Sequence, residues 1–499
     1  MEYISTRGKS AAVSAAAAIV QGIAEDGGLF VPASIPTYFP QNLADLDYCR
    51  LAKDIFALYL TDFTADEIAQ VVDEAYSTTS FPDGAVGTVS LDNTEILELW
   101  HGPTSAFKDM ALQVLPRLLV KSLAKTGGNK EIIILVATSG DTGTAALEGF
   151  RDVPHTQITV FYPKEGVSAI QELQMNTTAG NNTCVIGVQG NFDDCQNGVK
   201  MIFGDKDLAA KMAAQGKYFS SANSINWGRL LPQIVYYFYG YGQLVAKQRI
   251  AFGEEIDIAV PTGNFGDILA GWYAMKMGLP VHQFICASNC NNVLTDALEK
   301  GVYDRRRPFH KTISPSMDIL ISSNFERFIF DISGNDSEYT AAVFEQLRDE
   351  GVFTISDSLR EKFAAKMRGG YADEDSCKAA IKRVFERYDY LLDPHTAVAW
   401  KVAEQQKGGN PMLVASTANW AKFGSNVYRG LTGIAPDEPL PTDVAGLTDV
   451  QLNRKVYEMT RVCPVPPQLD ELDEKPIRFT TVIDGDVEAI EKAVTDFIG

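Results

Sequence analysis

Two stretches of the chain repeat one pattern, and that pattern constrains the fold more than anything else in the 499 residues. Glu131 to Ala137 (EIIILVA) is an apolar, β-branched run that stops at Thr138 to Gly143 (TSGDTG) and continues as a helical pattern through Phe150. Ile256 to Val260 (IDIAV) stops in the same way at Pro261 to Asp267 (PTGNFGD) and continues as ILAGWYAMKMG. A strand without polar alternation is covered on both faces, which is the condition of a parallel sheet. A third such strand is predicted at Met412 to Ala415, followed by STANWAKF. The alternation predicts an α/β fold: a mostly parallel sheet flanked by helices, with ligands gathered at the carboxyl ends of the strands.

The first ninety or so residues have a different character. Leu51 to Leu60 and Ala65 to Ala75 carry apolar residues at three- and four-residue spacing, which predicts a helical region. Thr64 with Glu67 offers a capping box for the second helix. The alanine-rich stretch from Ala11 to Ala24 resembles a signal-peptide core, but Glu2 precedes it and EDGGLFVP follows directly, so an amphipathic helix is the better reading. Residues 330 to 405 read as mainly helical. No apolar run approaches the ~18 residues that cross a bilayer.

Charge and cysteine usage remove whole classes of function. A formal charge of −20 argues against nucleic acid and anionic membranes as partners, because both demand a basic surface. Seven scattered cysteines without metal-type pairing predict reduced thiols, no metal and a cytoplasmic protein. Cys286 and Cys290 read as small buried residues.

Chemistry concentrates in four places. His101 to Gln113 (HGPTSAFKDMALQ) sets Lys108 among apolar neighbours, Phe107 and Met110, that can lower an ammonium pKa by desolvation. Alone, Lys108 reads as a surface lysine near a helix start. The loop Gly263-Asn264-Phe265-Gly266-Asp267 points helix N–H groups at whatever occupies it. The helix dipole supplies only ~0.3–1 kcal/mol to an anion, whereas each charge-assisted N–H bond supplies ~1.5–3 kcal/mol. The loop is neither a P-loop nor a dinucleotide fingerprint, and in isolation a plain turn is the simpler reading. Thr138, Ser139 and Thr142 suit a carboxylate, with Asp141 as an added acceptor, and serve equally as a hydroxyl-rich helix cap. Thr417 ends the third strand, where its hydroxyl can meet a ligand heteroatom or cap a turn.

An imine-forming lysine, a non-nucleotide phosphate cup, a carboxylate loop and a neutral hydroxyl are together what pyridoxal phosphate needs. The chain resembles the threonine synthases, in the β-family (fold type II) of pyridoxal-phosphate enzymes. The resemblance runs through YISTRG, EDGGLFVP, HGPTSAFKD, ATSGDTG, GVSAIQELQM, SANSINWGRLLPQ, PTGNFGD, SPSMDILISSNFERF and DPHTAVAW. It implies a tryptophan synthase β-like fold: two open α/β domains with the cofactor in the cleft, plus an N-terminal mainly helical domain. The expected divisions are a helical domain at 1–90 and a large cofactor domain at 91–130 and 226–450, with a helical insertion at about 330–405. A small substrate-carboxylate domain at 131–225 and a C-terminal extension at 451–499 complete them. One departure is visible: the family's STAHPAKF reads STANWAKF here, with Asn419-Trp420 in place of His-Pro, so no role of that histidine is carried over.

The resemblance also implies a reaction: O-phospho-L-homoserine and water become L-threonine and phosphate. Lys108 would anchor the cofactor and then move protons at the substrate carbons. Gly263, Asn264, Phe265, Gly266 and Asp267 would hold the cofactor's phosphate. Asp141 would lie beside its phenolic oxygen, with its protonation coupled to the cofactor, and Thr417 would face the ring nitrogen. Thr104, Thr138, Ser139 and Thr142 would bind the substrate, with Asn223 and Arg229 on the substrate side of the cleft. Arg229 reads equally as a phosphate clamp or a helix-surface salt bridge. The expected protein is a monomer or homodimer. The competing outcomes are a phospho-lyase of the same fold that yields 2-oxobutanoate, and a non-catalytic binding protein on the same scaffold. Threonine dehydratase is a poorer rival, since its substrate lacks a phosphate.

Overall fold

The parallel strands predicted from β-branched runs are the inner strands of two sheets in the computed structural model, which describes residues 1–128, 130–406, 408–435 and 438–498. The larger sheet orders Met367–Tyr371, Val281–Ser288, Ile256–Pro261, Met412–Ser416, Thr94–Glu98 and Gly87–Leu91. Its pairings are parallel except for the last, a hairpin. The smaller sheet orders Val482–Asp484, Thr183–Gln189, Thr156–Pro163, Glu131–Ala137 and Lys217–Ser220, all parallel. Glu131–Ala137 is buried at each position after its first, as an all-apolar strand must be.

The N-terminal region packs against two helices, Leu115–Lys125 and Trp227–Ala246. Helices Tyr48–Tyr59 and Ala65–Ala75 form as the spacing predicts, and the Thr64–Glu67 capping box closes in both directions. The helix Trp227–Ala246 is buried along most of its length and takes the apolar face of Tyr48–Tyr59, against which Ala65–Ala75 packs in turn. Tyr3 and Tyr59 both pack their rings 5.5 Å from Trp227. The alanine-rich start forms a shorter helix, Ala15–Gln21, capped by Ser14. No helix among the described residues is long and apolar enough to cross a membrane.

Two elements depart from the sequence reading. The stretch 330–405 contains a strand, Met367–Tyr371, at the edge of the large sheet. Its Met-Arg-Gly-Gly-Tyr sequence has no strand signature, because Gly369 and Gly370 are there for clearance. A Cβ on Gly369 would lie 2.9 Å from Thr295 Cα, and one on Gly370 would strike Val402. The C-terminal extension is equally part of a sheet. Val482–Asp484 adds an edge strand to the small one, and helix Val487–Ile498 lays Ile490 against Gly198 of helix Phe192–Gly204.

Helix Asp141–Phe150 of the small domain crosses directly over the short helix Asp109–Leu112 that starts at Lys108. The approach is so close that a Cβ at Gly149 would run into the carbonyl oxygen of Leu112. Gly149→Ala therefore has no small adjustment open to it, since backbone is the obstacle. We expect it to lower stability by about 1–3 kcal/mol, as other overpacked cores do, read as a fall in the urea midpoint.

Candidate functional site

Lys108 is held at the meeting point of the chain's functional loops by backbone bonds to the strand-end turn after Met412–Ser416. Phe107 N–H donates to the Thr417 carbonyl at 2.8 Å, and Asn419 N–H donates to the Ser105 carbonyl at 3.0 Å. Ser105 takes a left-handed φ of 59° to make this possible. Behind the lysine, Asp109 is fully buried and accepts the Thr104 backbone N–H at 2.8 Å and its hydroxyl at 2.7 Å. Burial pushes the Asp109 carboxyl up to about 7 and brings the Lys108 ammonium down to about 8, with Arg229 and Lys422 adding repulsion and Asp141 opposing the fall. The desolvation expected from apolar neighbours is thus the leading cause.

One cavity of about 310 Å³ lies between the two domains. It gathers Lys108, Thr138, Ser139, Thr142, Asn223, Arg229, the loop from Gly263 to Asp267, and Thr417. Thr104 is not brought to it. Its hydroxyl is taken by Asp109, and its carbonyl accepts the Lys422 ammonium at 2.8 Å. Asp141 also stands behind the wall, with its Oδ2 3.9 Å from the Lys108 Nζ.

The Gly263–Asp267 loop is shaped as an anion cup. Phe265 is left-handed at φ 62°, immediately before helix Gly266–Lys276. Ser322 Oγ donates to the Gly263 carbonyl at 2.7 Å, and Asn324 N–H donates to the Asn264 carbonyl at 3.0 Å, so the carbonyls are turned away from the cavity side. A Cβ on Gly263 would lie 2.8 Å from the Ser316 carbonyl oxygen. Among the described residues, the N–H groups of Asn264, Phe265 and Gly266 meet no acceptor. Three such donors around one hollow fit a phosphate. The Asp267 side chain does not share that role. Its Oδ1 accepts Tyr236 and Tyr237 hydroxyls at 2.5 and 2.6 Å, its Oδ2 has no partner, and burial lifts it to about 6. Only its backbone N–H suits an anion.

The carboxylate-type loop divides its labour. Thr138 Oγ accepts the N–H groups of Gly140 and Gly143 at 2.9 and 2.8 Å, which shapes the turn and leaves its own O–H to donate. Ser139 and Thr142 face the cavity. Arg229 is buried, its Nη1 donates to the Ala222 carbonyl at 2.6 Å, and its Nη2 reaches Thr142 Oγ at 3.5 Å. No carboxylate among the described residues pairs with it, so the surface salt-bridge reading falls away. Burial lowers the guanidinium to about 10 and leaves it charged at neutral pH.

Asp141 departs from the expectation of a proton-sharing acid. Its Oδ1 accepts the Lys422 ammonium at 2.8 Å and Gln171 Nε2 at 2.9 Å, and its Oδ2 accepts the Ser316 hydroxyl at 3.0 Å. Burial opposes ionisation, but the charges of Lys422 and Lys108 hold its carboxyl well below the usual carboxylate range. It is an acceptor only.

Three contributors were not identified from sequence. Lys422 is fully buried at the end of the STANWAK segment. His395 lines the cavity, presents Nδ1 to Asp393 Oδ1 at 2.8 Å, and accepts the Ser316 N–H on Nε2 at 3.2 Å. These bonds set its tautomer, with the proton on Nδ1. Ser316 is the third. The Asp-x-His spacing in DPHTAVAW was the available signal for His395; the ends of the bonds lie too far apart in sequence for the other two.

Neither Asn419 nor Trp420 lines the cavity. Asn419 caps the turn Trp420–Phe423 by accepting the Ala421 N–H at 2.9 Å, and Trp420 Nε1 donates to the Cys463 carbonyl at 3.1 Å. Of the cysteines, Cys286 is buried as expected and Cys290 is partly exposed; none forms a disulfide, and no metal cluster is present among the described residues.

Three family models match: threonine synthase N terminus over residues 2–76, pyridoxal-phosphate-dependent enzyme over 97–354, and threonine synthase C-terminal over 396–462. A threonine synthase of Pseudomonas aeruginosa is 39% identical over 90% of this chain and 93% of its own. Human threonine synthase-like 1 is 39% identical over 83% of this chain, which spans 57% of that protein's length. Among solved structures, a pyridoxal-phosphate-bound threonine synthase from Brucella melitensis superposes with a TM-score of 0.85 at 35% identity, covering 100% of this chain and 99% of that one. The yeast threonine synthase gives a TM-score of 0.86 at 33% identity, covering 100% and 98%.

The placement of Asn419 generates a separable prediction. Asn419→Ala removes a cap and is expected to cost about 1 kcal/mol of stability, read by thermal unfolding. Ligand affinity at the cavity should stay within twofold of the parent.

Proposed function

The chain belongs to the threonine synthase family of pyridoxal-phosphate-dependent enzymes, and from that premise we propose that it converts O-phospho-L-homoserine and water into L-threonine and inorganic phosphate. The observation that carries this reading is the presence of two anion sites around one lysine. The unpaired N–H groups of the 264–266 loop and the buried, carboxylate-free Arg229 both line the cavity that Lys108 lines. A cofactor phosphate and a substrate phosphate call for such a pair.

Lys108 would anchor pyridoxal phosphate, and the N–H groups of Asn264, Phe265 and Gly266 would hold its phosphate. The bound cofactor supplies an electron sink that makes the hydrogens next to the substrate's amine-bearing carbon acidic. Lys108, once free, is the base that takes the Cα proton and carries protons between the neighbouring carbons. Its lowered ammonium pKa, about 8, keeps a usable fraction of the amine uncharged at neutral pH. Thr138, Ser139 and Thr142 would fix the substrate carboxylate through hydroxyl donors. Asn223 and Arg229 would bind the phosphate that leaves from Cγ, with water then added at Cβ. Arg229 stays charged through this step and returns no proton. Asp141, ionised throughout, accepts and does not donate.

Thr417 would face the cofactor's ring nitrogen. A hydroxyl there does not enforce ring protonation, whereas a carboxylate would, and a weaker electron sink favours elimination and replacement over transamination. The seven unpaired thiols support a cytoplasmic location.

Incubation with O-phosphohomoserine is expected to release threonine and phosphate in equal amounts. Release of 2-oxobutanoate and ammonia instead identifies the lyase, and no turnover of a yellow, cofactor-loaded chain rejects the reading. Lys108→Ala should abolish the ~410–425 nm absorbance expected of a lysine-bound cofactor. Thr417→Asp should raise the transaminated side product at the expense of threonine, and an unaltered product ratio would dispose of the ring-nitrogen argument.

A further inference from the structure

The site holds a second lysine for which the proposed reaction has no use. Lys422 is wholly buried. Its ammonium lies 2.8 Å from Asp141 Oδ1 and donates to the Thr104 carbonyl at 2.8 Å. A buried ion pair is seldom the most stable filling for its space, and an apolar side chain of like size commonly serves as well. A charge retained at such a place has an electrostatic effect on its neighbours.

That effect falls on Lys108. Asp141 stands between the two lysines, one ammonium at 2.8 Å and the other at 3.9 Å. Gln171 and Ser316 hold the carboxylate in place from two further segments. A lone Asp141 beside Lys108 would trap it as a permanent ammonium. With Lys422 on its other oxygen, the carboxylate is already matched, and Lys108 faces a nearly neutral pair. The other charged or titratable groups around these two are Arg229, Asp109, Asp267 and His395. Arg229 adds repulsion to Lys108, and Asp109 adds attraction.

We propose that Lys422 is a positioning residue that sets the proton affinity of the Lys108 nitrogen, by fixing Asp141 as a permanent anion and matching its charge. The assignment rests on the pyridoxal-phosphate reading above. It explains why Asp141 is ionised without making Lys108 a fixed cation. It also explains why the lysine is carried on the turn next to Thr417, whose backbone already holds the Lys108 loop. The lowering of Lys108 to about 8 agrees with this arrangement, since Lys422 is among its causes after burial. The sign follows directly: removing the Lys422 charge leaves Asp141 to stabilise a proton on Lys108, so the nitrogen's pKa rises.

The test uses the full-length chain loaded with pyridoxal phosphate, whose absorbance is titrated with pH for the parent, Lys422→Met and Lys422→Arg. Lys422→Met should move the midpoint upward by about one unit, tenfold in proton affinity. Lys422→Arg should restore it. A Lys422→Met chain that loads cofactor and melts lower but titrates at the parent's midpoint overturns the proposal in favour of a merely structural role. If Lys422→Met does not fold, side-chain amine NMR of the cofactor-free full-length parent decides. Lys108 should lose its proton near 8. A Lys108 that titrates as an ordinary lysine overturns the assignment. A chain that takes up no pyridoxal phosphate removes the functional reading, yet this second titration still decides the role of Lys422.

Discussion

A carboxylate buried at the junction of two domains organises the site around it. Asp141 opens helix Asp141–Phe150 of the small domain, and its partners come from elsewhere: Lys422 from the turn after the third strand, Gln171 from helix Ala169–Asn176, Ser316 from the 314–317 turn. The effective penalty for burying an ion is several kcal/mol, so the anion is tolerable only when all of these segments are in place. The relation also runs the other way, because each segment is positioned by the anion it satisfies. The Ser316 turn is gripped from its far side as well, its N–H bonded to His395 and its neighbour Asp318 bonded to Asn289, Asn291 and Thr312. The wall beside Lys108 is therefore built of polar contacts that are individually modest and jointly restrictive.

How much of this could be read from the sequence depends on the range of the interaction that creates each feature. Glu131–Ala137 and Ala65–Ala75 were readable because an apolar run and a capping box are local patterns with local causes. The two short anion loops were readable as loops, since glycine and hydroxyl residues between a strand and a helix have few alternatives. Met367–Tyr371 was hidden because its glycines answer to Thr295 and Val402, not to strand propensity. Val482–Asp484 was hidden because its partner, Thr183–Gln189, lies some three hundred residues earlier. Thr104 shows the converse error: a hydroxyl beside Lys108 in sequence faces inward to Asp109.

The Asn419-Trp420 replacement shows how far a motif difference can mislead about function. In sequence it lies two residues from Thr417, close enough to put a role in the site in question. In space the chain turns sharply there, so that Thr417 faces the cavity while Asn419 and Trp420 face the Cys463 segment. Asn419 and Trp420 brace the strand-end turn from outside the cavity, with an Asn cap and an indole N–H bond. Lys422 follows on the same turn, so what the bracing protects is the alignment of its ammonium with Asp141.

A cavity with two anion-binding features in a chain of net charge −20 looks paradoxical only if the charge is taken as uniform. Salt screens exposed charges beyond about 8 Å at physiological ionic strength, so most of the acidic surface does not reach the cavity. Inside, Arg229 and Lys108 face the open space, and Lys422 has its own carboxylate. Lys200 lines the cavity as well from an exposed position, and further positive potential comes from backbone N–H groups, which carry no proton to lose and no side chain to reorient. That division suits the proposed role of Lys108, whose nitrogen would change its protonation state repeatedly. If the phosphates were held chiefly by lysines, their titration would follow that of Lys108 and blur it. With amide donors and a guanidinium in those positions, Lys108 is the one cavity-lining cation of this set that is free to titrate near neutrality.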